Sequence, residues 1–137
     1  MKLSTRSRYG TRLMVDLAEH YAQGPVQIRD IAKRQSISVK YLEQLIIPLK
    51  KAGFITSVRG PKGGHLLSKP PASITTGEIV RVLEKETGLV QCLDSPEICE
   101  RLEGCPTRNL WKRATQAFYD QLDGVTLANL VQDEEKR

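Results

Sequence analysis

Apolar residues recur at helical spacing near the start of the chain, at Tyr9, Leu13, Leu17 and Tyr21, with Met14 and Ala18 beside them. That period predicts an amphipathic helix over about residues 5–22, capped by Ser4 and stopped by Gly24-Pro25. Ile28, Ile31 and Ala32 mark one face of a short second helix. Ser38 then stands where it can cap a third, whose inner face is Leu42, Leu45, Ile46 and Leu49. Two helices joined by a turn as short as Gln35-Ser36-Ile37-Ser38 read as a helix-turn-helix. Pro48 falls inside the third helix, where it removes one backbone hydrogen bond and is expected to bend it, and Gly53 ends it. From Phe54 the apolar period drops to that of a strand. Phe54-Ile55-Thr56-Ser57-Val58 and His65-Leu66-Leu67-Ser68 flank Arg59-Gly60-Pro61-Lys62-Gly63-Gly64, which predicts a β-hairpin. A hairpin placed directly after a helix-turn-helix is a wing.

The helical pattern returns at Thr75-x-x-Glu78, a capping box with Ile74 and Ile79 as its hydrophobic staple, and predicts a helix through Val82 and Leu83 to about Glu86. Residues 88–106 have no sustained period and contain Pro96, Gly104 and all three cysteines, so they read as a loop. Leu110, Trp111, Ala114, Ala117, Phe118 and Leu122 then give a long helix with a broad apolar face, ended by Gly124. Thr126 caps a last short helix through Leu127, Leu130 and Val131, and residues 133–137 are expected to fray. The fold class is therefore mainly α. A winged helix-turn-helix domain with a two-stranded β wing occupies residues 1–73, and a region built on the long C-terminal helix, with the cysteine loop 88–106, occupies 74–137.

Composition narrows the class without changing this picture. The 137 residues are 39% apolar, 27% charged and only 5% aromatic, which suits one soluble domain or two small ones with an aliphatic core. Collagen, mucin and disordered-tail readings are excluded. The longest aliphatic cluster, Leu45-Ile46-Ile47, stops at Pro48, far short of the roughly 18 apolar residues that span a bilayer. The opening residues lack the apolar run of a secretory signal, so a cytoplasmic protein without membrane partners is expected.

Charge changes the picture more. Residues 1–70 carry 13 Lys and Arg against 4 Asp and Glu, a balance of +9, whereas residues 71–137 carry 8 against 12, a balance of −4. A basic half concentrates near polyanions, because each cation set against a phosphate releases condensed counterions. The outer side of the third helix carries Ser38, Lys40, Tyr41, Glu43, Gln44 and Lys51. Gln44 suits adenine N6 and N7, Glu43 accepts from cytosine N4, and Lys40 suits phosphate or guanine. Any amphipathic helix has a polar side, so it is the wing that directs this one toward nucleic acid. Its tip places Arg59, Lys62 and His65 among glycines that permit close approach to phosphate. The tip is not a phosphate loop of the nucleotide-binding kind, since His65 stands where Gly-Lys-Ser/Thr would be needed and no helix follows. His65 is expected to contact DNA or pack on the hairpin, and His20 to lie at the surface or its boundary.

Cys92, Cys99 and Cys105 follow the pattern C-x6-C-x5-C. An odd count argues against a disulfide framework, and the absence of a close C-x2-C pair argues against the usual zinc sites. The long intervals leave an iron-sulfur cluster, redox-active thiols or plain free cysteines open. Three thiolates leave a cluster one ligand short, to be supplied by Asp94, Glu97, Glu100, Glu103 or Asn109, by a second subunit, or by a small molecule. No Ser/His/acid set, paired carboxylates or phosphate loop points to an enzyme.

Met1-Lys2-Leu3-Ser4 leading to Arg8-Tyr9-Gly10, the stretches Ser38–Leu45 and Ser57–Gly64, the triple cysteine and Leu110-Trp111 together resemble the winged-helix regulators that include IscR, NsrR, RirA and CymR. The resemblance spans nearly the whole chain. It implies a homodimer whose long C-terminal helices cross, with recognition helices in successive major grooves of a pseudo-palindromic double-stranded DNA operator and wings in the minor groove. By matching position it gives the cluster to Cys92, Cys99 and Cys105, and DNA contact to Ser38, Tyr41, Glu43, Gln44, Arg59, Gly64 and His65. Two departures stand out, Arg108 in place of the histidine of the IscR pattern and Arg8 in place of the N-terminal aspartate of the NsrR pattern. The cluster type, 2Fe-2S or 4Fe-4S, is thereby left undetermined. The function implied is a transcriptional regulator whose operator affinity follows an iron-sulfur cluster, with a cluster-free thiol- or ligand-responsive regulator of the CymR kind as the alternative.

Overall fold

A computed structural model describes residues 3–85, 87–89, 93 and 104–135. Among the described residues six α-helices and one two-stranded antiparallel sheet follow in the order α1 (Thr5–Glu19), α2 (Ile28–Gln35), α3 (Val39–Lys51), β1 (Ile55–Val58), β2 (Gly64–Leu67), a short 3-10 turn at Pro71–Ser73, α4 (Thr76–Leu83), α5 (Pro106–Asp123) and α6 (Leu127–Glu135). The caps read from the sequence are in place. Ser4 Oγ accepts the Ser7 N–H at 3.2 Å and Ser38 Oγ accepts the Tyr41 N–H at 3.1 Å. Thr75 and Glu78 bond reciprocally at 3.2 and 3.3 Å, and Thr126 and Asn129 do the same for α6 at 2.9 and 3.1 Å. Each cap satisfies orphan N–H groups and contributes about 1 kcal/mol.

One aliphatic core joins Leu13, Met14 and Leu17 of α1, Ile31 of α2, Leu42, Leu45 and Leu49 of α3, Ile55 and Leu67 of the wing, Ile79 and Leu83 of α4, and Leu127 of α6. It runs without a break across the 73/74 boundary. Helix α4 lies so close to α1 that a Cβ on Gly10 would overlap the Leu83 side chain. The chain after α5 returns to the same place, with the Thr76 N–H donating to the Val125 carbonyl at 2.8 Å and the Leu127 N–H to the Ile74 carbonyl at 3.0 Å.

A buried carboxylate holds α1 to α2. Asp16 is 0% exposed, and its oxygens accept Arg34 Nε and Nη2 at 2.9 and 2.8 Å and Gln35 Nε2 at 2.9 Å. Arg12 Nη2 adds a bond to the Gln35 carbonyl. The last turn of α2 is thus clamped to the middle of α1, and the Ser36 turn and α3 follow directly from it.

Several boundaries differ from the expectation. Helix α1 ends at Glu19 rather than about residue 22, because His20 Nδ1 takes the Asp16 carbonyl at 2.8 Å and the His20 and Tyr21 N–H groups turn back to Leu17 and Ala18. The chain then reverses through Ala22 and Gly24, both with positive φ, and Tyr21 is left exposed. Helix α4 stops at Leu83 rather than near Glu86 because Glu84 leaves the helix to cap α1. Its Oε1 accepts the Ser4 N–H at 2.9 Å and Ser7 Oγ–H at 2.6 Å. Burial pushes the Glu84 carboxyl up, but the bonds from Ser7 and Ser4 outweigh it and hold the group below the ordinary value. The expected frayed tail is helical through Glu135. On α5 the predicted apolar face does not enter the core: Leu110 and Trp111 are 46% and 40% exposed, and Tyr119 is the residue of this helix that is buried. No helix among the described residues is long and apolar enough to cross a membrane.

Because the folded pKa of Glu84 is depressed, its stabilisation is complete above the unfolded value of 4.5 and lost as pH falls through the folded value. Denaturant unfolding of Glu84→Gln is expected to show a deficit of about 1 kcal/mol at neutral pH that shrinks below pH 4.5. A deficit constant down to acid pH would show that the charge contributes nothing.

Candidate nucleic-acid interface

Helix α3 turns Leu42, Leu45, Ile46 and Leu49 inward and leaves Ser38, Lys40, Glu43, Gln44 and Lys51 exposed. Tyr41 is half-buried and meets Tyr9 edge to face, with ring centroids 5.9 Å apart. The guanidinium groups of Arg8 and Arg12 lie 5.7 and 5.4 Å from the centre of the same Tyr9 ring, so α1 adds positive charge beside the base of α3. Ile47 is 68% exposed in the middle of the polar face, one turn beyond Glu43 and Gln44. Helical spacing alone separates Ile47 from the inward-facing positions, a signal overlooked because it sits in the aliphatic run Leu45-Ile46-Ile47.

In the wing, Ile55 pairs with Leu67, Ser57 with His65 and Val58 with Gly64. A third segment joins them, since Val26, just before α2, exchanges both backbone hydrogen bonds with His65 at 2.8 Å. Gln27 Nε2 also donates to the Pro61 carbonyl at 3.3 Å. The wing is thereby fixed to the start of the helix-turn-helix. Two glycines of the wing also answer to contacts inside the protein. A Cβ on Gly63 would overlap the Val58 carbonyl, and one on Gly64, at φ 152°, would overlap the Val26 carbonyl, so both serve approaches inside the protein. Gly60, at φ 111°, is the glycine at the open tip, between exposed Arg59 and Lys62.

His65 packs on the hairpin, half-buried, with Nδ1 2.8 Å from Ser57 Oγ. Burial lowers its pKa from 6.5, Lys50 lowers it further and Glu43 opposes both. The ring is therefore mainly neutral at pH 7, and the fixed positive charge of the tip belongs to Arg59 and Lys62. The site residues of α3 and the wing thus stand on one rigid frame.

Of the three cysteines, Cys105 is the N-cap of α5, partly exposed, with Sγ 3.3 Å from Thr107 Oγ1. Cys92 and Cys99 lie outside the described residues, as do Asp94, Glu97, Glu100 and Glu103. Among the described residues no three His, Cys, Asp or Glu side chains gather as a metal site.

A helix-turn-helix with an exposed polar recognition helix, braced by a basic wing, is the architecture of the winged-helix transcriptional regulators. The chain belongs to the Rrf2 family: residues 3–133 match it under the description "Iron-dependent Transcriptional regulator". The protein rrf2 of Nitratidesulfovibrio vulgaris strain Hildenborough is 48% identical over 133 residues, covering 97% of this chain and 89% of that protein. The solved structure of T. potens IscR superposes with a TM-score of 0.82 at 39% identity, covering 99% of this chain and 90% of the other. That of CymR, titled the global cysteine regulator of B. subtilis, also gives 0.82 at 39% identity, over 96% and 97%. The family resemblance read from the residue motifs is confirmed by these matches, and so is the winged-helix fold.

Gly64→Ala should strain a positive φ and press a methyl group on the Val26 carbonyl, costing about 1–3 kcal/mol. Amide exchange should quicken at Val26 and His65 before it does in α1. Unchanged exchange at both positions would refute the bracing role.

Proposed function

We propose that this chain is a dimeric DNA-binding regulator in which α3 reads the major groove of a pseudo-palindromic operator, the wing grips the minor groove, and an iron-sulfur cluster on Cys92, Cys99 and Cys105 sets the affinity. The observation that carries the DNA reading is the exposed face of α3 standing beside a wing whose backbone is paired to the start of α2. Gln44 reads adenine, Glu43 accepts from cytosine and penalises a nearby phosphate, and Lys40 meets phosphate or guanine. Ile47 adds a surface for a thymine methyl group. Ser38 and Tyr41 meet the DNA at the start of the helix, and Arg59 and Lys62 hold phosphates. Gly64 and His65 meet the DNA from the wing and also hold the tip in place. The exposed Leu110, Trp111 and Ala117 on α5 support the dimer, since a two-fold partner would cover them.

Thiolates are the donors that iron-sulfur clusters take, and Cys105 is the one of the three cysteines within the described residues. Cys105 caps the positive end of α5, a favourable place for an anionic sulfur ligand, and it is accessible. A bound cluster supplies thiolate-held iron that is lost or altered when its ligand set is incomplete. Arg108 bears on the alternative. It stands where the IscR resemblance places a histidine, and a guanidinium cannot replace that ligand. Together with the equal similarity to CymR, this favours a cluster-free, thiol- or ligand-responsive regulator as the second reading.

Arg59→Ala and Lys62→Ala should weaken binding to all duplexes and flatten its salt dependence, whereas Gln44→Ala should relax base choice by about 1–3 kcal/mol at one position. Equal losses on cognate and random DNA for all three would contradict the role of α3. Anaerobic purification should yield a coloured protein with iron and sulfide that Cys92→Ser loses. A colourless, iron-free protein would remove the cluster and leave the CymR-like reading.

A further inference from the structure

Between α4 and α5 lies a cavity of about 280 Å³, just below the roughly 300 Å³ at which small-molecule pockets begin. Arg81, Leu93, Arg108, Lys112, Gln116 and Tyr119 line it. Its three cations are not equivalent. Arg81 is spoken for, since Nη1 and Nη2 donate to the two Asp123 oxygens at 2.6 and 2.9 Å while the guanidinium covers the Tyr119 ring at 4.5 Å. Arg108 Nε, by contrast, is buried and has no hydrogen-bond partner among the described residues. Lys112 follows one turn later on the same side of α5 and forms no ion pair among them.

A buried donor on a permanently charged group costs more than a neutral one when its bond is not made, and among the described residues Arg108 Nε is left without an acceptor. The Nε edge of a guanidinium offers two parallel N–H groups, which match the two oxygens of a carboxylate. Tyr119 and Leu93 supply an apolar wall for a short carbon skeleton. We infer that this cavity binds a small organic carboxylate, its oxygens on Arg108 and Lys112 and its carbons against Tyr119 and Leu93. An occupant there touches α4, α5 and the start of the cysteine-bearing stretch together. Leu93 adjoins Cys92 and Arg108 follows Cys105 by three positions, so the inference concerns the chain with no cluster bound, and it does not depend on DNA.

The test is a titration of the full chain without DNA, reading the Arg108 Nε–H resonance and the Gln116 backbone amide by heteronuclear NMR. The probes are sodium acetate and sodium succinate, with sodium chloride at matched ionic strength and sodium phosphate as comparisons. Saturable shifts with a carboxylate, absent with chloride and weakened at least about tenfold in Arg108→Gln, are expected. Lys33→Gln, an exposed cation on α2, should bind as wild type does, and thermal unfolding should confirm that both variants fold. No saturable shift with either carboxylate, undiminished affinity in folded Arg108→Gln, or saturation by phosphate alone would each overturn the assignment.

Discussion

A carboxylate with no access to water must find its counter-charge inside the protein, and Asp16 finds it on the last turn of α2. That requirement orders the reading head. With Arg34 and Gln35 drawn onto α1, the Ser36 turn has one place to go, and α3 leaves it at a fixed angle with its aliphatic side against Leu13 and Leu17. The gain is not mainly energetic, since buried ion pairs contribute little net stability, but their loss leaves one charge stranded. What the clamp supplies is a defined orientation for α3.

Helix α1 carries a second connection at its other end. Glu84 closes its N-terminus, and Gly10 admits Leu83 against its side, so the helix that precedes the cysteine-bearing stretch is packed onto the helix that supports the reading head. The wing is held in turn to the segment between α1 and α2. Contacts thus run from α4 through α1 to the helix-turn-helix. Under the function proposed above, regulation would take the form of a population shift between two arrangements of such elements.

Much of this was legible in the sequence, because the signals were local. Ser4, Ser38 and the Thr75–Glu78 box announce helix starts within three residues of the groups they satisfy, and the change of period at Phe54 announces the wing. What was missed depends on partners distant in the chain. Glu84 shortens α4 for the sake of Ser4, 80 residues away, and Asp16 looks like any helical surface acid until Arg34 is brought to it. The resemblance gives Gly64 to DNA contact, and no local signal shows that its backbone also lies against Val26, 38 residues away. The apolar side of α5 is legible as apolar, but periodicity does not say whether a face is covered by its own chain or by another, and only the resemblance pointed to a second chain.

The proposed function requires two copies of one frame to read DNA with two-fold symmetry. Hydroxyl-radical footprinting on a duplex selected by the full chain tests this most directly. It should show protected sugars in two clusters related by a dyad, with recognition-helix half-sites about one helical turn, or a multiple of one, apart. A single protected patch without a dyad, or no protection on any duplex at low salt, would contradict it.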